Sequence, residues 1–379
     1  MKQPASQSTS GSRQRPGGTG MPLIGQIAKT TQGPMRLISF SFDMTQAVAR
    51  RRFPLRPGLH CSIYLGPYFI AFIAFIAIRP SSIMAAVLTG WLPPTRENWA
   101  LTLAVFQISY PLISLLQIPL SWYGMGKTSV DSRLNLPGRV AWILMEAPGF
   151  MTLLYMMKTL PQMHGIDDLP WQNRVLAGLF VIHYTYRAII FPLIQPSMSP
   201  IHILVALMAV GFQVLNGTCI GAWLAAYGPV TAEAWAEQSS TGQFVAGIAI
   251  FYIGLASNFF HDEELREIRR TEKRRQERIL GERAGGNAGG GKTVSVEKHY
   301  QVPQAGLFRY VLYAHYLCEW LEWTGFLMAA GWGCAPAWAF LTNEVCAMLP
   351  RAVKGKKWYI ERFGEDKIRN KWAVLPGVV

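Results

Sequence analysis

The sequence predicts an all-α, polytopic integral membrane protein, a bundle of seven transmembrane helices with a candidate extra N-terminal helix. Three observations carry that expectation. Half of the 379 residues are hydrophobic and only 15% are charged. Apolar windows recur that approach or exceed the roughly 20 residues needed to cross a bilayer. The charges are segregated between those windows rather than spread through them. The spans must be helical, because lipid offers no partner to backbone N–H and C=O groups.

In chain order, residues 1–60 are rich in Ser, Gly, Pro, Gln and Arg, with Asp43 as the only acid, and are expected to form a basic, largely disordered tail. That acid-poor composition also resembles an organelle transit peptide. Residues 61–95 hold the candidate additional segment: an apolar run at 63–78, then Arg79-Pro80, then a second apolar patch at 83–92. Residues 96–379 form the membrane domain, with spans expected at 99–121, 140–160, 175–193, 202–227, 244–260, 307–332 and 335–349. A charged, Gly-rich insertion at 271–299 separates the fifth span from the sixth.

The formal charge of +14 collects in the N-terminal tail, in 266–298 and after Arg351, whereas 228–243 carries Glu233 and Glu237 and no basic residue. By the positive-inside rule the 261–306 loop and the C-terminus face the cytosol, which fits an endoplasmic reticulum membrane. A nucleic-acid partner is set aside because the basic residues flank apolar spans. The five cysteines lack the paired close spacing of zinc ligands, so no metal site and no disulfide framework is implied. The run Gly286-x4-Gly291-Lys292-Thr293 matches a nucleotide-binding loop formally. Its context lacks the strand and helix such a loop needs, so it reads as a linker.

Polar residues interrupt the apolar windows at three places: Glu146, the cluster His183-Tyr184-Thr185-Tyr186-Arg187, and Asn258-Phe-Phe-His-Asp262. An ionisable group at membrane depth costs about 2.5–3.5 kcal/mol on insertion scales and is a functional-site hypothesis by default. Asn258 and Asp262 are four apart and share a helix face. Arg266 and Arg269 follow on succeeding turns, with guanidinium forks suited to phosphate.

These motifs resemble the steroid 5-alpha-reductase family of membrane reductases. The landmarks are Tyr123-Gly124, LPGRVAWILMEAP at 136–148, HYTYR at 183–187, Asn216-Gly217, SNFFHDEELREIRR at 257–270, AGLFRYVLYAHYLCEWLEWTG at 305–325 and RAVKGKKWYIERF at 351–363. The resemblance implies a seven-helix bundle enclosing NADPH and a lipophilic enone. The implied reaction reduces a C=C bond conjugated to a carbonyl. It assigns Glu146 and Tyr184 to polarising that carbonyl, where negative charge develops in the transition state. A carboxyl in apolar surroundings is favoured in its neutral, donating form. The same resemblance assigns Asn258, Asp262, Arg269, Tyr300, Glu319, Arg351 and Tyr359 to the cofactor, and Trp142, Met145 and Arg187 to the substrate. Met145 stands where steroid-reducing members often carry Gln, and His315 where Asn is usual. The implied partners are a lipophilic small molecule and membrane lipid, with no obligate protein partner. Two alternatives stay open: reduction of another membrane lipid, such as a polyprenol or an enoyl thioester, and a non-catalytic sterol-binding protein.

Overall fold

The apolar windows fold into long helices whose ends are fixed by caps, prolines and close glycine contacts. The computed structural model describes residues 89–120, 124–126, 131–283 and 299–379. The expected tail at 1–60, most of the segment at 61–95, Tyr123 and the Gly-rich linker around 286–293 lie outside those residues.

Helix α1 (Arg96–Leu115) begins at Thr95, whose hydroxyl accepts the Asn98 N–H at 3.2 Å, satisfying one of the donors left over in a first turn. A two-residue strand β1 (Asn135–Leu136) pairs antiparallel with β2 (Ile201–His202), register Asn135↔His202. That pairing brings the stretch before β2 beside the start of α2 (Gly138–Met163). Helix α3 (Trp171–Tyr184) runs on as a π-helix at Thr185–Ile190 and a last α turn at Phe191–Ile194. Helix α4 (Ile203–Ala222) also ends in a π turn, Trp223–Tyr227. The short α5 (Ala232–Gln238) precedes the 43-residue α6 (Thr241–Arg283). Helices α7 (Ala314–Ala330) and α8 (Ala335–Phe363) complete the bundle.

The most extensive packing joins α6 to α7 and α2 to α4. Both pairs approach through glycine. A Cβ on Gly254 of α6 would meet the Glu322 Cα of α7 at 2.5 Å, and one on Gly217 of α4 would run into the Gly149 carbonyl of α2. Small residues at such crossings let helix backbones close on one another where no hydrophobic drive separates protein from lipid. The central core is aromatic, built on Phe106, Phe180, Phe251, Trp323, Phe326 and Phe340. Large apolar side chains such as Ile108, Leu112, Leu207 and Ile253 point outward, as a lipid-facing surface requires.

Among the described residues, five helical segments are long and apolar enough to cross a membrane: Arg96–Leu115, Gly138–Met163, Trp171–Ile194, Ile203–Tyr227 and Thr241–Ile279. They mark the chain as a membrane protein and correspond to the first five expected spans. The window expected at 335–349 is helical throughout, whereas the one expected at 307–332 is helical only in part. Residues 306–309 form a 3-10 turn instead, and the backbone beyond it is taken by the C-terminal tail. Leu312 N–H bonds Trp372 O at 2.9 Å and Tyr313 N–H bonds Ala373 O at 3.0 Å, so α7 starts only at Ala314 and has 17 residues. Helix α8 continues past 349 into the charged stretch Arg351 to Arg362.

Candidate functional site

The polar interruptions of the apolar windows converge in the interior of the bundle. Glu146 lies in the third turn of α2 and accepts a hydrogen bond from Gln213 Nε2 of α4 at 2.5 Å. One helical turn on, Asn216 Nδ2 donates to the Tyr184 hydroxyl at 3.2 Å. Tyr184 is the last residue of α3 before the π-helical stretch, and π-bulges recur at functional sites. Glu146 also interacts electrostatically with Arg187, Glu319 and His183. The two residues assigned to the carbonyl are therefore held by neighbouring amides of one helix, α4.

Glu319 of α7 stands at the centre of a second set of contacts. Its Oε2 accepts from Asn258 Nδ2 at 3.4 Å, and its Oε1 lies 3.8 Å from His183 Nε2 and 4.0 Å from Arg187 Nε. Asn258 Oδ1 is buried and has no hydrogen-bond partner among the described residues. Arg187 rides over the Trp142 ring at 5.0 Å and the Phe191 ring at 5.2 Å, and Trp142 Nε1–H bonds the Arg187 carbonyl at 3.0 Å. One turn beyond Asn258, Asp262 accepts from the Tyr186 hydroxyl at 3.0 Å, and that hydroxyl in turn accepts from Arg266 Nη1 at 3.2 Å.

Beyond this buried cluster opens a cavity of about 630 Å³, within the range of a small-molecule or cofactor site. Seven of the expected site residues line it: Trp142, Arg187, Asp262, Arg269, Tyr300, Arg351 and Tyr359. Arg269 reaches the Ser197 carbonyl at 3.4 Å, and Arg351 the Gln117 side-chain oxygen at 2.9 Å. Burial pushes the Tyr359 phenol up to about 12, so it remains a hydrogen-bond donor at neutral pH. Glu146, Tyr184, Asn258 and Glu319 do not form the cavity's lining but stand in the hydrogen-bonded interior. Met145 packs with Ala141, Trp142, Ile201 and Ala206 in the core between α2 and α4.

Sequence reasoning did not single out Gln213, Glu322 or Glu344. Gln213 was readable as a polar residue three before Asn216 in an apolar window, and Glu322 as a second acid one turn from Glu319. Glu344 of α8 interacts with Glu319, Arg187 and Glu146, and its Oε2 has no hydrogen-bond partner among the described residues.

Comparison with known proteins places this site in context. The sequence model of the family described as 3-oxo-5-alpha-steroid 4-dehydrogenase matches residues 199–281 and 293–379. The mouse (Mus musculus) 3-oxo-5-alpha-steroid 4-dehydrogenase 1 is 30% identical over 261 residues, covering 69% of this chain and 89% of that protein. The tomato (Solanum lycopersicum) steroid 5-alpha-reductase DET2 is 29% identical over 278 residues, covering 72% and 93%. An uncharacterised protein of Schizosaccharomyces pombe is 34% identical over 267 residues, covering 66% and 89%.

Proposed function

The chain belongs to the 3-oxo-5-alpha-steroid 4-dehydrogenase family of oxidoreductases, and we propose that it uses NADPH to reduce the C=C bond of a lipophilic enone, a 3-oxo-Δ4 steroid or related terpenoid. The observation that carries this reading is the buried pair Glu146 and Tyr184, each hydrogen-bonded to an amide of α4 in an apolar bundle. An acid and a phenol at membrane depth have no structural need that two leucines would not meet, and both donate when neutral. Aimed at the carbonyl oxygen, they stabilise the charge that develops there more than they stabilise the ground state.

The residues around the large cavity fit a cofactor with anionic phosphates and a polar sugar. Arg269 and Arg351 supply cationic forks and Tyr300 and Tyr359 hydroxyls, while Asn258, outside the lining, brings a buried oxygen without a partner among the described residues. The chemistry supplied by bound NADPH is a hydride for the β-carbon of the enone. Glu319, Asn258 and Arg187 form one connected set between that cavity and the Glu146–Tyr184 pair, which suits them to orient the reacting ends. The aromatic interior excludes water, so the donors act in a low dielectric. Membership of an endoplasmic reticulum membrane, with the basic segments cytosolic, completes the reading.

Purified Glu146→Gln, incubated with NADPH and progesterone and followed at the nicotinamide absorbance, tests it. Loss of an oxyanion donor costs on the order of 10²–10³ in kcat, and the amide N–H of Gln puts this variant at the low end. NADPH binding should be retained. Wild-type turnover by a folded Gln variant would remove Glu146 from the mechanism.

A further inference from the structure

Behind Tyr184 lies a polar pair that the proposed chemistry does not use. His183 Nδ1 and Glu322 Oε1 are 2.8 Å apart, joining α3 to α7, and their side chains are 3% and 0% exposed. A buried pair of this kind is weak as a source of stability, because desolvation offsets most of its attraction and an apolar pair would pack as well. Its location is informative. The next residue is Tyr184, and the helix changes from α to π at Thr185.

The His183 ring meets the Tyr184 ring edge-on, centroids 4.9 Å apart, and the Trp323 ring at 4.8 Å. Phe180 closes the other side of Tyr184 at 4.6 Å and reaches Trp323 at 5.8 Å. Tyr184 is thus held in a frame of three rings. Phe180 and Trp323 are large and packed on all sides, at 0% and 1% exposure. His183 is the smallest of the three, and the hydrogen bond to Glu322 fixes its ring plane. The backbone of Glu322 is closely packed, because α6 passes directly over it at Gly254.

We propose that His183 and Glu322 are positioning residues for Tyr184: their hydrogen bond pins the imidazole as one wall of an aromatic brace that aims the phenol at the substrate carbonyl. The proposal rests on the reading of Tyr184 as a carbonyl-polarising donor. It assigns no proton transfer to the pair. A misplacement of about 1 Å in a reacting group can cost 10²-fold in rate, so the brace matters even though it touches no substrate.

Two measurements on the purified full-length protein test it. The first is a double-mutant comparison of progesterone turnover. His183→Ala and Glu322→Ala should each lower kcat by about tenfold or more. Glu322→Gln, which keeps an acceptor for the imidazole N–H, should recover most of that loss, whereas His183→Asn, which keeps a donor near the Nδ1 position but has no ring, should not. In a Tyr184→Phe background, His183→Ala should cost little more, because residues acting as a unit are not additive. The second uses 3-fluorotyrosine placed at position 184 or, as a distant reporter, at position 227, where the hydroxyl bonds the Pro94 carbonyl at 2.6 Å. His183→Ala should change the fluorine spectrum at 184 and leave that at 227 unaltered.

Additive losses in the Tyr184→Phe background, with a fall in NADPH affinity, would show that His183 acts through Glu319, and would overturn the proposal. So would an unchanged spectrum at 184, or equal changes at both reporters, which would mark a merely structural role. Full turnover by Tyr184→Phe would instead sink the reading of Tyr184 as a donor, while the fluorine spectra would still decide whether the brace exists.

Discussion

Lys371 carries its ammonium into a ring of oxygens beneath the C-terminal tail. Nζ reaches the Pro303 carbonyl at 3.4 Å, the Gln304 side-chain oxygen at 3.1 Å, the Arg309 carbonyl at 3.3 Å and, closest, the Phe308 carbonyl. It locks the segment leading to α7 to the strand-like stretch at 372–373. Lys371→Met keeps the stem but leaves those carbonyls without their donor, at a cost of roughly 1–3 kcal/mol. The expected outcome is a lower thermal midpoint in detergent together with loss of activity, since the same segment leads to the cavity-lining Leu312 and Tyr313. Burial also pulls the Lys371 ammonium below its ordinary value of 10.5. Between that lowered value and 10.5 the unfolded chain binds more protons than the folded one, so this group makes stability rise with pH in that window. The Met variant should lack that alkaline rise. An equal rise in both proteins, measured as midpoint against pH, would assign the effect elsewhere.

Helices α6 and α7 owe their contact to glycine, and the two kinds of helical glycine in this fold predict opposite outcomes. Gly254 faces the Glu322 backbone, so Gly254→Ala must push α7 away and should destabilise by about 1–3 kcal/mol, the range for overpacking. Gly178 of α3 has nothing within 4 Å of its Cβ position. Gly178→Ala should therefore be neutral or stabilising by up to about 1 kcal/mol, the difference in helix propensity. Melting of the two variants side by side checks this, and destabilisation by both would deny Gly254 its special role. The same elements show what the sequence could convey. Long apolar windows were legible as helices because lipid leaves the backbone no other choice. The late start of α7 was not, because it depends on the tail at 372–373 capturing residues 312 and 313 from about sixty residues away. Glu146, Tyr184, Asn258 and Asp262 stood out as polar residues among apolar ones. Their partners Gln213 and Asn216, and the pairing of His183 with Glu322, depend on which helices become neighbours, and no local pattern encodes that.

At the scale of the whole molecule the chemistry has two distinct ends. Arg269, Tyr300, Arg351 and Tyr359 share one cavity, which fixes the basic end of α6 and the last turns of α8 on the same side of the bundle. The short α5 lies at the opposite end of α6, where Gln238 Nε2 bonds the Ala330 carbonyl at 3.1 Å and Trp235 Nε1 bonds Asn173 Oδ1 at 2.6 Å. Charge follows the same division, with Glu233 and Glu237 at the α5 end and the arginines at the other. In the proposed orientation, which follows the positive-inside rule, the cavity end would face the cytosol, where a water-soluble nucleotide is available, and a lipophilic substrate would enter through the apolar flanks. Proteolysis is a poor test, because α5 is tied down by Trp235 and would resist cleavage on either side. Single cysteines are better: Ala236 and Asp366 are both exposed, whereas Cys219, Cys318 and Cys334 are buried. In a Cys61→Ser background, Asp366→Cys should react with a membrane-impermeant maleimide in sealed right-side-out microsomes, above the signal left by Cys346. Ala236→Cys should react only after detergent opens the vesicles. The reverse pattern would place the cavity mouth in the lumen and separate it from the cytosolic nucleotide pool, and labelling of both in sealed vesicles would mean that α6 does not cross the membrane.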